Sequence, residues 1–105
     1  MLRIVEVAVR LIGPGMRIVE QIKKRSRSHA DQLERSLPSI ALNLAEGSGM
    51  SGGNRRERYR SALGSARESL VNVRVAEAAG WVRDVDGQFV SDLNHAIAVC
   101  VKLTR

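Results

Sequence analysis

Aromatic residues are nearly missing from this chain. Tyr59, Trp81 and Phe89 are the only three among 105 residues, so Leu, Ile, Val and Ala must build the core. A β-sandwich draws on aromatic and β-branched residues. An aliphatic core with many small side chains instead suits helices packed at close range. So few aromatics also leave little for stacking bases, and sequence-specific readout of a single strand is not expected. Cysteine is reduced to Cys100, which excludes an intrachain disulfide and fits a reducing cytoplasm. With His29 and His95 it makes a poor metal set: His95 and Cys100 share a helix face badly, and no CxxC or HExxH pattern occurs. A structural zinc site needs about four ligands, so no metal and no other cofactor is expected. Long apolar runs are absent too. The opening MLRIVEVAVRLIG is interrupted by Glu6 and Arg10, which argues against a signal peptide. Nothing approaches the ~20 apolar residues that cross a membrane. No run alternates apolar and polar residues between turn signals, so no strand is predicted.

What the chain has in excess is positive charge. Seventeen Lys and Arg face eleven Asp and Glu, for a net charge of +6. A surface of this sign attracts polyanions such as RNA and DNA. The length is that of one domain, residues 1–105.

The apolar residues fall in four helical stripes. In the first segment, about 2–25, Ile4, Val5, Ala8, Leu11, Ile12, Ile18, Val19 and Ile22 recur at steps of three and four. Gly13-Pro14-Gly15 interrupts it, and proline clashes with the carbonyl four residues back, on Arg10. Because the stripe resumes in phase, one helix kinked at 13–15 is expected, with a true break as the alternative. The second segment, about 28–46, carries Leu33, Leu37, Ile40 and Leu44. Ser28 with Asp31 resembles a capping box. Pro38 either bends this helix or marks a restart with Ser36 as cap. The third, about 54–79, has Asn54 as N-cap and an unusually small middle: Ser61, Ala62, Gly64, Ser65, Ala66 and Ser69. Gly64 costs about 1 kcal/mol of helix propensity, which suggests a backbone packed against it. Gly80 stops this helix in the left-handed conformation, and Trp81 folds back on the last turn. Asp86-Gly87 centres a turn. The fourth segment, about 88–104, repeats Phe89, Leu93, Ala96, Ile97, Cys100 and Leu103. Short joints and one stripe per helix predict an all-α fold, an antiparallel up-down-up-down four-helix bundle.

Gly47, Gly49 and Gly52 match G-x-G-x-x-G, the phosphate-binding fingerprint of dinucleotide folds. That fingerprint needs a strand before it and a βαβ unit around it. Here a helix precedes it, and no Gly-Lys-Ser/Thr follows. The glycines are read as the corner between the second and third helices.

The same stretch carries a resemblance. Asn43-Leu44-Ala45-Glu46-Gly47, then Ala62-Leu63-Gly64-Ser65-Ala66-Arg67-Glu68, then Gly80-Trp81, with Gln32 upstream, occur in order. Together they resemble the bacterial four-helix-bundle family of 23S rRNA intervening-sequence proteins, over roughly residues 4 to 104. Gly13-Pro14-Gly15 departs from that pattern. A related branch contains the accessory protein of diversity-generating retroelements, a pentameric ring that associates with a reverse transcriptase and nucleic acid. The resemblance implies a bacterial homo-oligomer, a pentamer by analogy, with an RNA or DNA ligand.

The residues themselves offer two basic clusters. Arg55, Arg56, Arg58 and Arg60 crowd the start of the third helix, and Lys23, Lys24, Arg25 and Arg27 the end of the first. In an antiparallel bundle they lie at opposite ends, and a ring would repeat each around a rim. Such cations give affinity for phosphates without sequence information, unless pairing with neighbours such as Glu57 neutralises them. Asn43 and Glu46, one turn apart, are read as structural, with Glu46 meeting backbone N–H groups or an arginine. Ser65 and Glu68 are read as interhelical hydrogen-bonders, since no base stands ready to activate the serine. No catalytic residue emerges. The expected function is a non-enzymatic, cytoplasmic, oligomeric bundle that binds RNA or DNA as an accessory factor. The alternative is a protein-interaction module whose charge serves solubility or an acidic partner.

Overall fold

The structure, a computed structural model, describes residues 3–105; Leu2, the expected first helical residue, lies outside them. Five helical segments follow one another: α1 (Arg3–Arg10), α2 (Ile12–Lys23), α3 (Arg27–Ser48), α4 (Gly52–Ala78) and α5 (Gly87–Leu103). No strand occurs among the described residues.

Segments α1 and α2 are the single kinked helix expected from the stripe. The kink falls at Leu11, ahead of residues 13–15. Pro14 has no N–H to give the Arg10 carbonyl, and its ring crowds that carbonyl. The chain therefore tightens: Leu11 N–H donates to Ala8 O at 3.2 Å, and regular spacing resumes with Gly15 N–H donating to Leu11 O at 2.9 Å. The apolar stripe crosses the kink in phase, so Val5, Ala8, Leu11, Val19 and Ile22 all reach the core.

Helix α3 begins earlier than the Ser28–Asp31 pattern suggests. Ser26 is its N-cap, in extended backbone, and its Oγ accepts from His29 N–H at 3.4 Å and bonds His29 Nδ1 at 2.7 Å. The helix runs unbroken through Pro38, so Ser36 is not a cap. The carbonyl that Pro38 leaves without an intrahelical donor belongs to Glu34, an exposed residue. Gly47, expected at the helix end, lies inside the last turn and is buried. A Cβ there would sit 2.7 and 2.9 Å from two carbons of the Tyr59 ring. Gly15 is similarly tight: a Cβ would collide with Leu37 and touch Phe89. These are the close approaches in this chain. Gly64, by contrast, is exposed, with nothing within 4 Å of an added Cβ.

The N-cap of α4 is Ser51, and Asn54 sits within the helix. The Ser51 side chain makes no capping bond; Gly52, at φ +64°, makes the turn. The other end of α4 is as the local residues predict. Gly80, at φ +76°, donates its N–H to Glu77 O at 3.0 Å, and Trp81 N–H reaches back to Ala76 O at 2.9 Å. This is the Schellman pair of bonds. Asp86 caps α5, its Oδ1 accepting from Gln88 N–H at 3.0 Å.

With 27 residues at about 1.5 Å each, α4 sets the 42 Å long axis of the molecule, which is 24 by 19 Å across. Helix α3 packs against α4, α2 and α1, and α5 closes the core against α4 and α1. Leu11, Ile22, Leu33, Leu37, Ile40, Leu44, Phe89 and Leu93 are fully buried between them.

Replacing Gly47 by Ala is expected to lower stability by about 1–3 kcal/mol, because the rigid Tyr59 ring cannot yield. Gly53→Ala, at a site with nothing within 4 Å, serves as the near-neutral control. Denaturant unfolding of the two variants checks this; equal midpoints would refute the close approach.

Candidate nucleic-acid interface

The basic cluster on α4 is largely engaged with the protein itself. Arg55 Nε donates to Met50 O at 2.8 Å, which ties the α3–α4 corner. Arg58 Nη1 meets Glu46 Oε2 at 3.1 Å and Asn43 Oδ1 at 3.4 Å. Arg60 pairs with Glu57 at 3.6 Å. Arg56 makes no ion pair among the described residues. Exposed pairs contribute about 0–1 kcal/mol each, but they also cancel charge. Two of the four arginines face a carboxylate, and a third is spent on a carbonyl.

Glu46 and Asn43 thus belong to a polar seam between α3 and α4. Asn43 Nδ2 donates to Ser39 O at 2.9 Å and Ser39 Oγ at 3.0 Å. Ser65 Oγ donates to Ser39 Oγ at 2.9 Å, and Ser69 Oγ to Ser65 O at 2.8 Å. Ser36 and Ser69 share a buried bond of 2.7 Å. Glu68 takes no part: it is exposed and makes no hydrogen bond or ion pair among the described residues. Gly64 lies off the seam as well.

The other cluster is different. Lys23 makes a 3.4 Å pair with Glu20, but Lys24, Arg25 and Arg27 have no ion pair among the described residues. The loop between α4 and α5 adds to them. Gln21, Lys24, Arg25, Gly80, Trp81 and Arg83 line one open groove of about 270 Å³. The loop is held in place along its length. Gln21 Oε1 accepts from Arg83 N–H at 3.3 Å, Val82 is buried, and Asp84 takes the left-handed conformation at φ +53°, which Asp tolerates better than most residues. Trp81 stands edge-on to His29, ring centres 5.1 Å apart. Sequence reasoning missed Arg83 and Trp81 as neighbours of Lys24 and Arg25, more than fifty residues upstream. The local signal was the lone Trp set just past a helix stop with an arginine two residues on.

A larger groove of about 470 Å³ lies between α1 and α5, with Ile4, Val7, Val99 and Leu103 in its lining and Arg3, Arg10 and His95 beside them. Its charge is partly answered within the protein. Arg10 Nη2 meets Asp92 Oδ1 at 3.3 Å, and Gln88 Nε2 donates to the same oxygen at 2.9 Å. Burial pushes the Asp92 carboxyl up. The hydrogen bonds from Arg10 and Gln88, with the charges of Arg10 and His95, outweigh it and hold the carboxyl below its ordinary range. Cys100, fully buried in α5, is pushed up to about 11 by desolvation. It stays a neutral thiol near pH 7 and is no nucleophile. No helix among the described residues is long and apolar enough to cross a membrane.

No family model, curated protein or solved structure matches the chain.

A carboxyl with a lower pKa folded than unfolded binds fewer protons in the folded state. The stabilisation from Asp92 is therefore full above the usual carboxylate range, near 4, and is lost as pH falls through the lowered value. Arg10 is well exposed, so screening keeps the contribution to about 1 kcal/mol or less. Asp92→Asn is expected to be less stable than the parent near pH 7, with the gap closing in acid as pH falls through the lowered value. Urea unfolding near pH 7 and through the acid range tests this, and a gap that stays constant in acid would contradict it.

Proposed function

We propose that this chain is a non-enzymatic, homo-oligomeric helical bundle that binds RNA or DNA through its basic surface, as an accessory to another macromolecule. The observation that carries this reading is the groove where Lys24, Arg25 and Arg83 converge with no carboxylate paired to them among the described residues. Uncompensated cations gathered on a concave surface focus a positive potential that a phosphate backbone answers. Of the two clusters legible in the sequence, this one carries the larger share, because the α4 arginines are mostly satisfied within the protein. The family resemblance argues in the same direction, and membership in the 23S rRNA intervening-sequence family is part of this reading. So is the up-down order of the helices. Joints of three residues, 24–26 and 49–51, favour antiparallel neighbours.

Self-association is supported by a separate observation. Leu42 on α3 is 63% exposed, and Val71 and Val75 on α4 are 60% and 40% exposed; α4 also carries the exposed Gly64. Buried Asn72 lines a shallow groove with Val71 and Val75, and its Oδ1 has no hydrogen-bond partner among the described residues. A second copy of the chain set against this face covers the valines and accounts for a glycine that costs helix propensity.

Two experiments follow. Changing Lys24, Arg25 and Arg83 together to Ser is expected to weaken binding of an RNA or DNA duplex alike across sequences. The slope of log affinity against log salt should fall by about 0.9 for each phosphate that is no longer neutralised. The set Arg55, Arg56 and Arg58 to Ser should matter less; unchanged affinity in the first triple variant overturns the reading. For assembly, light scattering at micromolar concentration is expected to give a multiple of the 11.5 kDa chain. Gly64→Ala should reduce that mass. A monomer mass, with Gly64→Ala merely raising stability by up to about 1 kcal/mol, refutes the oligomer.

A further inference from the structure

The groove at the end of α2 is more than a patch of charge, because it has an aromatic wall. Trp81 is the only tryptophan of the chain, and it is half-buried beside Lys24, Arg25 and Arg83. Its backbone is locked by the Schellman bond to Ala76 O at 2.9 Å, and His29 packs T-shaped against the indole with ring centres 5.1 Å apart. His29 is itself held by Ser26 at 2.7 Å, the cap of α3. The Gln21–Arg83 bond sets the loop that follows against α2. The indole is therefore held on a preorganised frame, with the exposed side chains of Lys24, Arg25 and Arg83 beside it. A duplex buries its base faces in the stack and offers only phosphates to such a groove. An unpaired nucleotide offers a phosphate and a free aromatic face at once. A volume of about 270 Å³ is below that of drug-sized pockets and suits one ring.

We propose that this groove takes an unpaired nucleotide, the base against Trp81 and the flanking phosphates on Lys24, Arg25 and Arg83. The proposal rests on the nucleic-acid reading above and sharpens it. The preferred ligand is a single-stranded segment, loop or bulge, with no demand for a particular base, since every base has a face to stack. Sequence-specific readout is still not expected from so few aromatics, but one platform suffices to stack a base when tertiary packing sets it among cations.

The test uses the full chain with one oligonucleotide sequence in four forms: single-stranded RNA, single-stranded DNA, and the duplex of each. Tryptophan emission reports on Trp81 alone. Single strands are expected to quench it and duplexes to leave it nearly unchanged. Trp81→Leu is expected to weaken single-strand binding roughly 5-fold to 150-fold, the loss that accompanies one base stack, and to leave duplex binding as it was. Trp81→Phe should recover much of the loss, and circular dichroism of both variants checks the helices. If RNA and DNA single strands behave alike, the groove reads only base and phosphate; a preference for RNA adds a ribose interaction. Quenching absent from the parent, or duplex and single strand weakened equally by Trp81→Leu, overturns the proposal while the electrostatic reading survives. Binding of none of the four forms at low salt overturns both.

Discussion

The close approach of α3 and α4 is the constraint on which the rest of the molecule depends. Serine and alanine occupy the seam where larger side chains would hold two helices apart: Ser36 and Ser39 on one helix, Ala62, Ser65, Ala66 and Ser69 on the other. Short side chains bring hydroxyls within reach of each other, which is why Ser36 and Ser69 meet at 2.7 Å and Ser65 and Ser39 at 2.9 Å. Burying a hydroxyl without a partner costs about 1–3 kcal/mol, so the seam tolerates one register and disfavours slippage. Gly47 extends the approach to the corner, where its missing side chain leaves room for the Tyr59 ring. With this pair fixed, α3 offers its other side to α1 and α2, and Leu33, Leu37, Ile40 and Leu44 fill the space between.

The same seam decides what the surface charges do. It sets Arg58 beside Glu46 and Asn43, so an arginine that looks available along the chain becomes part of the corner. At the α2–α3 joint no carboxylate is paired with Lys24, Arg25 or Arg27 among the described residues, and the α4–α5 loop supplies a further cation and an aromatic ring. A net charge of +6 is spread over the whole chain. That Lys24, Arg25 and Arg83 meet in one groove is a product of packing.

Much of the fold is legible in the sequence because its signals are local. Gly80 and Trp81 end α4 as their types require, since the Schellman bonds span only six residues. Asp86 caps α5 for the same reason. Sequence patterns mislead where two local signals compete. Ser26 and Ser28 are both good caps, and the bond from Ser26 to His29 Nδ1 decides between them. Pro14 announces a kink, yet the helix breaks at Leu11, because the clash is with the carbonyl that precedes the ring by four positions. The propensity cost of Gly64 suggests a tight neighbour, but that position is open, whereas Gly15 and Gly47 are the tight ones. All three look alike in a sequence, since a glycine carries no mark of which neighbour it admits.

The sequence by itself determined the helical class, the four apolar stripes, the helix stops and the excess of positive charge. These follow from periodicity and capping, which act between residues within about a turn or two of each other. Only the tertiary structure decided which cations are paired and which are left for a ligand, and that Trp81 and Arg83 join Lys24 and Arg25 across more than fifty residues of chain. Those outcomes depend on how distant segments pack, and side-chain volume along a buried seam sets that where no local pattern can.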